Sequence, residues 1–215
     1  MKTQQAKDSA FTLLFKQEKY AVQLYELLTG KKINASTIRS VRLQDGLVKP
    51  RLYNDVSFLT EDNELLVLIE HQTTLNKTMA FRLLEYYVKL TGKFIKEYKL
   101  NKYGTKEIEI PKAEFFIVYN GKKKMEDFPV LDLGDIQVTC NVLNIHFKNL
   151  EIDDRHNAVI AYAKFIELVE DKQLFVNDAI DQLLEEGYLP EFFEQKELRD
   201  MFSGLPKDVI QDLTL

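Results

Sequence analysis

Two carboxylates and an amide stand at spacings that would bring them together: Asp55 after Asn54, and Glu70 and Gln72 on either side of His71. Leu52, Val56 and Phe58 alternate with Tyr53, Asp55 and Ser57, the period-2 pattern of a half-buried strand. The run Leu65-Leu66-Val67-Leu68-Ile69 predicts a second strand, and Glu61-Asp62-Asn63-Glu64 supplies turn residues between the two. A hairpin centred on Asp62 and Asn63 sets Asp55 opposite Glu70. Directly paired residues share one face with Cβ atoms about 5 Å apart. Gln72, two residues beyond Glu70, points the same way. Acids so placed repel unless one is protonated or a cation lies between them. Mg²⁺, with Mn²⁺ as substitute, suits such a pair: it takes oxygen ligands, keeps several waters and needs only one or two protein carboxylates beside substrate phosphate oxygens. The pattern allows two separate, solvated acids on a sheet edge equally well.

The elements that must position these groups follow from apolar spacing. Phe11, Leu14, Phe15, Val22, Tyr25 and Leu28 predict an amphipathic helix over Asp8 to Leu28 that ends near Gly30, and residues 33 to 43 alternate as a first strand. Asn76 caps a long helix from Lys77 to about Tyr98 with the stripe Met79, Leu83, Tyr87, Leu90 and Phe94. Arg82 falls in its first turns, where it would contact a phosphate or pair with Glu85 or Asp55. Phe115 to Tyr119 reads as a strand closed by Asn120-Gly121, and Ile136 to Phe147 contains another. From Arg155 the pattern is helical, with stops at Gly187 and Gly204.

These blocks resemble the PD-(D/E)XK nuclease superfamily, and within it the Rpn group of recombination-promoting nucleases and transposase-like proteins. The resemblance rests on Asp8-Ser9-Ala10-Phe11 with Phe15-Lys16, on Asp55, on Glu70-His71-Gln72-Thr73 followed by Met79 to Tyr86, and on Phe115 to Gly121, and it covers residues 8 to 203. It implies an α/β, restriction-endonuclease-like core of helix, mixed sheet and helix, spanning residues 1–150. An acidic helical C-terminal extension, 151–215, would pack on it as one globular unit. It implies a Mg²⁺-dependent DNA endonuclease of low sequence specificity. Asp55 and Glu70, with the backbone carbonyl of His71, would hold the metal, Gln72 would aim the attacking water, and Asp8 or Glu18 would add an outer-shell carboxylate. The chain departs from the superfamily pattern in having Gln72 where most members carry lysine and Asn54 where the motif has proline. A neutral amide orients water but lacks the charge of an ammonium. The same residues fit a catalytically weak or inactive interaction or regulatory module that keeps the fold. Participation in transposition rests on the family label alone.

The 215 residues, 45% hydrophobic and 29% charged, suffice for a sizeable core. A single cysteine, Cys140, excludes an intramolecular disulfide and reads as a buried small hydrophobe, while the polar N-terminus and lack of an ~18-residue apolar run predict a cytoplasmic protein without a membrane span. The net charge of −5 hides an asymmetry: residues 1–150 carry 23 Lys and Arg against 18 Asp and Glu, and 151–215 carry 6 against 16. Lys89, Lys93, Lys96, Lys99, Lys102 and Lys106, then Lys122, Lys123 and Lys124, are candidate phosphate contacts, although each alone reads as a solvated lysine. The acidic third would shield this basic surface or form a homodimer contact through Phe192, Phe193 and Phe202. His71, on the opposite face from Glu70, packs rather than catalyses in this reading, and His146 and His156 lack zinc-ligand spacing.

Overall fold

The computed structural model describes residues 2–41, 55–74, 76–122 and 130–203, the side chains of 2–7, 197 and 201–203 excepted. Among these the chain forms seven α-helices and seven strands, divided between two compact units, one of residues 32–144 and one of residues 1–31 with 145–215. The fold is mixed α/β, consistent with the restriction-endonuclease-like core expected from the motifs.

The unit of residues 32–144 is built on a five-stranded mixed sheet. Its strands are β1 (Ile38–Ser40), β2 (Val56–Thr60), β3 (Leu65–Gln72), β4 (Lys112–Tyr119) and β7 (Asn141–Asn144), adjacent in that order. The first three are antiparallel, while β3, β4 and β7 run parallel. The hairpin register is the expected one, with Val56 opposite Ile69 and Leu59 opposite Leu66. Its turn is held locally: Asn63 adopts φ 59°, Asp62 Oδ1 accepts from the Glu64 amide at 3.1 Å, and Thr60 Oγ1 accepts from the Leu65 amide at 3.1 Å. The first strand is shorter than expected, because Ala35–Thr37 forms a 3₁₀ turn in which Asn34 Oδ1 accepts from the Ser36 amide.

Helix α3 (Met79–Glu97) makes the crossover between the parallel strands β3 and β4. Asn76 Oδ1 accepts from the Thr78 amide at 2.9 Å, so the asparagine shapes the turn just before the helix. Met79, Leu83, Tyr86 and Leu90 bury against Leu59, Leu66, Leu68, Ile117 and Tyr119, placing α3 on one face of the sheet. By strand alternation that face also carries Asp55, Glu70 and Gln72. The strand expected within 136–147 divides at Cys140: β6 (Gln137–Thr139) pairs with β5 (Val130–Asp132) in a separate ribbon, and β7 joins the main sheet. Cys140 is fully buried, and burial pushes its thiol up to about 12.

The second unit is helical. The run expected over residues 8–28 is two helices, α1 (Lys2–Phe15) and α2 (Glu18–Thr29), parted at Gln17, whose backbone is extended. Tyr20 lies nine residues beyond Phe11, two and a half turns at about 3.6 residues per turn. An unbroken helix would point the two rings in opposite directions, and the break lets both be buried. Gly30, at φ 71°, caps α2, and its amide donates to Glu26 O. Helix α4 (Ala158–Ile166) is buried all round. Asn157 Oδ1 accepts from the amides of Val159 and Ile160, and Gln23 Oε1 accepts from that of Ala158 at 2.8 Å. The chain continues through a π-helical turn, Glu167–Asp171, to α5 (Val176–Glu185), α6 (Pro190–Phe193) and α7 (Lys196–Ser203). Gly187, at φ 78°, follows α5 as expected. Phe192 and Phe193 are each 1% exposed and stack within this unit on Tyr20 and Phe165. They are core residues here, which corrects their assignment to a dimer contact; the Phe202 side chain and the stop at Gly204 lie outside the described residues.

Gly121 is required by a close approach: a Cβ there would lie 2.3 Å from the Thr73 carbonyl oxygen and 2.2 Å from the Tyr119 hydroxyl. Gly121→Ala should therefore cost roughly 1–3 kcal/mol, the usual cost of overpacking, and an unchanged urea midpoint would refute the contact. Cys140 should resist Ellman's reagent at pH 8 in the native protein and react fully in denaturant, because the thiolate is the reactive form.

Candidate active site

The start of β2, the carboxyl end of β3 and the first turns of α3 meet around Glu70. Directly beyond the Val56–Ile69 pair, two hydrogen bonds cross the hairpin. The Asp55 amide donates to Glu70 Oε1 at 3.0 Å, and the His71 amide donates to Asp55 Oδ2 at 2.8 Å. Each acid is thus held by the main chain beside the other. Bonds of this kind to charged acceptors contribute about 1.5–3 kcal/mol apiece, and they hold both side chains within the hairpin.

Glu70 is 1% exposed, and an isolated carboxylate so placed would be costly. Arg82 offsets that cost. Its Nη2 lies 3.3 Å from Glu70 Oε2 and donates to the Tyr86 hydroxyl at 2.9 Å. The guanidinium also sits over the Tyr86 ring, 5.8 Å from its centroid. Burial disfavours the Arg82 cation, but the bond to Tyr86 and the charges of Glu70 and Asp55 outweigh it and hold its pKa above the usual arginine value. Burial, then the Glu70 charge, raises the Tyr86 phenol, which stays protonated. Arg82 therefore pairs with Glu70, where the sequence offered a phosphate, Glu85 or Asp55, and Glu85 pairs with Lys89 at 3.2 Å. Tyr86 is the residue that sequence reasoning missed; its signal was the four-residue spacing from Arg82.

Gln72 turns back on its own strand, with Nε2 donating to His71 O at 2.7 Å. The carbonyl expected as a metal ligand is thus also an acceptor for the amide at the superfamily lysine position. His71 itself is 3% exposed and alternates to the other face from Glu70.

The remaining candidates are dispersed. Lys122 is exposed and follows Gly121 at the Gln72 end of β4. Lys93 and Lys96 are also exposed but lie about three and four turns further along α3 than Arg82, roughly 16 and 21 Å at 1.5 Å per residue. Lys123 and Lys124 lie outside the described residues.

The donor chemistry fits a hard divalent cation: two carboxylates and a main-chain carbonyl, all oxygen, cross-bonded within one hairpin. Among the described residues no cluster of three or more His, Cys, Asp or Glu could hold a metal. An ion here would thus rest on Asp55, Glu70 and the His71 carbonyl and complete its shell from water or substrate.

No described helix is long and apolar enough to cross a membrane. No curated protein and no solved structure matches the chain. One family model does, over residues 50–137, a span that takes in the hairpin, α3 and β4 and with them Asp55, Glu70, Gln72, Arg82 and Tyr86. Its description is "Putative transposase, YhgA-like", and it is to this family that the segment carrying the acid pair is similar.

Proposed function

We propose that this chain is a metal-dependent DNA endonuclease of low sequence specificity. The family match supports a transposase- or nuclease-like role in general. The observation that carries the finer reading is the pair of main-chain bonds that hold Asp55 and Glu70 beside one another at the end of the sheet. In this reading Asp55, Glu70 and the His71 carbonyl hold Mg²⁺. What the bound ion supplies is positive charge, which acidifies the attacking water and neutralises the scissile phosphate. The chain does the rest. Gln72, anchored through Nε2 on its own strand, accepts a hydrogen bond from that water through Oε1 and sets its approach. Arg82, half-exposed and oriented by Tyr86, turns from Glu70 to a phosphate oxygen when DNA and metal enter, with Lys122 as a second contact at the same end. DNA as partner follows from the transposase description of the family.

A second reading has its own support. Arg82 already neutralises Glu70, and Gln72 already bonds the carbonyl that would ligate the metal. A chain so satisfied without an ion would serve as a DNA-binding or regulatory module that keeps the fold without turnover.

Supercoiled plasmid incubated with and without Mg²⁺ or Mn²⁺ separates the two. Asp55→Ala and Glu70→Ala should each abolish metal-dependent nicking in folded protein, since each removes a ligand; variants that nick as fast as the parent would move the active site elsewhere. Gln72→Ala should slow nicking by roughly 10², the scale of one preorganised polar group, and Gln72→Lys should retain or raise it. A parent that never nicks, yet shifts plasmid, favours the module. Arg82→Ala should destabilise metal-free protein by roughly 1–3 kcal/mol, the cost of a buried acceptor short of a partner. Much of that loss should be recovered in an Arg82→Ala, Glu70→Gln double variant, and purely additive losses in thermal melts would show that the pair is not coupled.

A further inference from the structure

The face of α3 turned away from the sheet is apolar where a surface helix is ordinarily polar. Phe81 and Val88 on it are 54% and 60% exposed. Leu84 and Ile95 are partly buried beside them, and Gly92 is exposed. The β5–β6 ribbon, which packs against α3, leaves Val130, Leu133 and Ile136 more than half exposed as well. Among the described residues the one other large hydrophobic side chain exposed to that degree is Tyr103, so apolar exposure gathers on this layer. Such patches mark interaction surfaces.

Three features of the helix stripe suit it to a second copy of itself. The first is its spacing, which reads the same in both directions from Val88: Leu84 and Gly92 stand four residues away, Phe81 and Ile95 seven. An antiparallel pair of helices related by a two-fold axis at Val88 therefore sets Phe81 against the partner's Ile95 and Leu84 against the partner's Gly92. The second is Gly92. Glycine inside a helix is destabilising relative to alanine, and a Cβ at Gly92 would meet nothing within 4 Å. Packing within the chain does not call for it, whereas a neighbouring helix that brings a leucine to this point does. The third is charge. Glu85 and Lys89, ion-paired at 3.2 Å, lie on one flank of the stripe. The two-fold keeps that flank on its own side and reverses the helix direction. Glu85 then comes level with the partner's Lys89 to within about 3 Å along the helix, at 1.5 Å per residue. Each acid gains a second cation, and each lysine a second acid.

We propose that this face is a homodimer interface, α3 against α3, antiparallel about Val88. The inference does not depend on nuclease activity: it concerns the back of the helix rather than Asp55, Glu70 or Gln72, and its test reads mass alone. One helix pair is a small interface, so the expected dissociation constant is on the order of 1–100 μM.

Sedimentation velocity of the full chain, across concentrations that bracket this range, should show the mass rising from one chain to two. Val88→Asp sets two carboxylates together at the axis and should leave only monomer. Gly92→Gln fills the space meant for Leu84 and should also leave monomer, while its thermal melt stays at or above the parent's, since nothing in the chain is crowded. Glu85→Lys and Lys89→Glu should each weaken self-association roughly tenfold, because the symmetry counts every change twice. Mixed in equal amounts, these two variants should pair about as tightly as the parent, because the like charges of one then meet the opposite charges of the other. A parent that stays monomeric into the millimolar range would overturn the proposal and leave the stripe to a different protein or to DNA. So would a dimer that survives both Val88→Asp and Gly92→Gln, which would place the contact elsewhere. A mixture no tighter than its components would rule out the antiparallel two-fold.

Discussion

A carboxylate almost wholly withdrawn from water is the constraint around which the sheet unit is arranged. Glu70 needs a donor on each oxygen, and the two donors come from different elements: the Asp55 amide from the hairpin and the Arg82 guanidinium from α3. The hairpin register therefore cannot slip. A shift of one residue would carry Glu70 to the opposite face, away from α3, and leave both Arg82 and the buried acid without their partner. The same demand sets the pitch of the crossover, since α3 must present Arg82 to the strand end while its stripe packs on Leu66 and Leu68. Tyr86 completes the arrangement by fixing the guanidinium that fixes the acid.

What the sequence shows of this arrangement and what it hides divide along a physical line. The hairpin was legible because turn chemistry and alternation are local, and its register followed from them. The helix was legible from its stripe. The partner of Arg82 was not, because spacing along the helix offers Glu85 and the hairpin offers Asp55, whereas the observed partner stands on a strand twelve residues earlier. Tyr86 was hidden by its neighbour: Tyr87 fits the apolar stripe, and it is instead half-buried with its hydroxyl on Pro111 O. The break at Gln17 carries no glycine or proline, and only the need to bury both Phe11 and Tyr20 explains it. Phe192 and Phe193 follow a proline in an acidic stretch, a context that does not distinguish a surface patch from a core. The short ribbon of β5 and β6 has too few residues to show a period.

Glutamine at the superfamily lysine position changes more than charge. An ammonium held beside two carboxylates would be drawn to them, whereas the Gln72 amide bonds the main chain of its own strand. The positive charge that lysine would bring to this end of the sheet is brought by Arg82, from a helix rather than a strand.

The helical unit is assembled from the two ends of the chain, and this has a consequence during synthesis. Helices α1 and α2 leave the ribosome ahead of α4, with Phe11, Leu14, Phe15 and Leu24 needing cover, and α4, against which Phe11 and Phe15 set their rings on Tyr162, begins only at Ala158. At about 5–20 residues per second, the nascent chain holds those faces open for roughly 6–25 s. The contiguous sheet unit has every residue it needs once Asn144 is made, 14 residues before α4 begins. The Gln23 side chain likewise waits for an amide made 135 residues later. A message cut short before α4 would therefore release a chain whose middle can fold and whose first helices cannot, a species that chaperones would hold and proteases would clear.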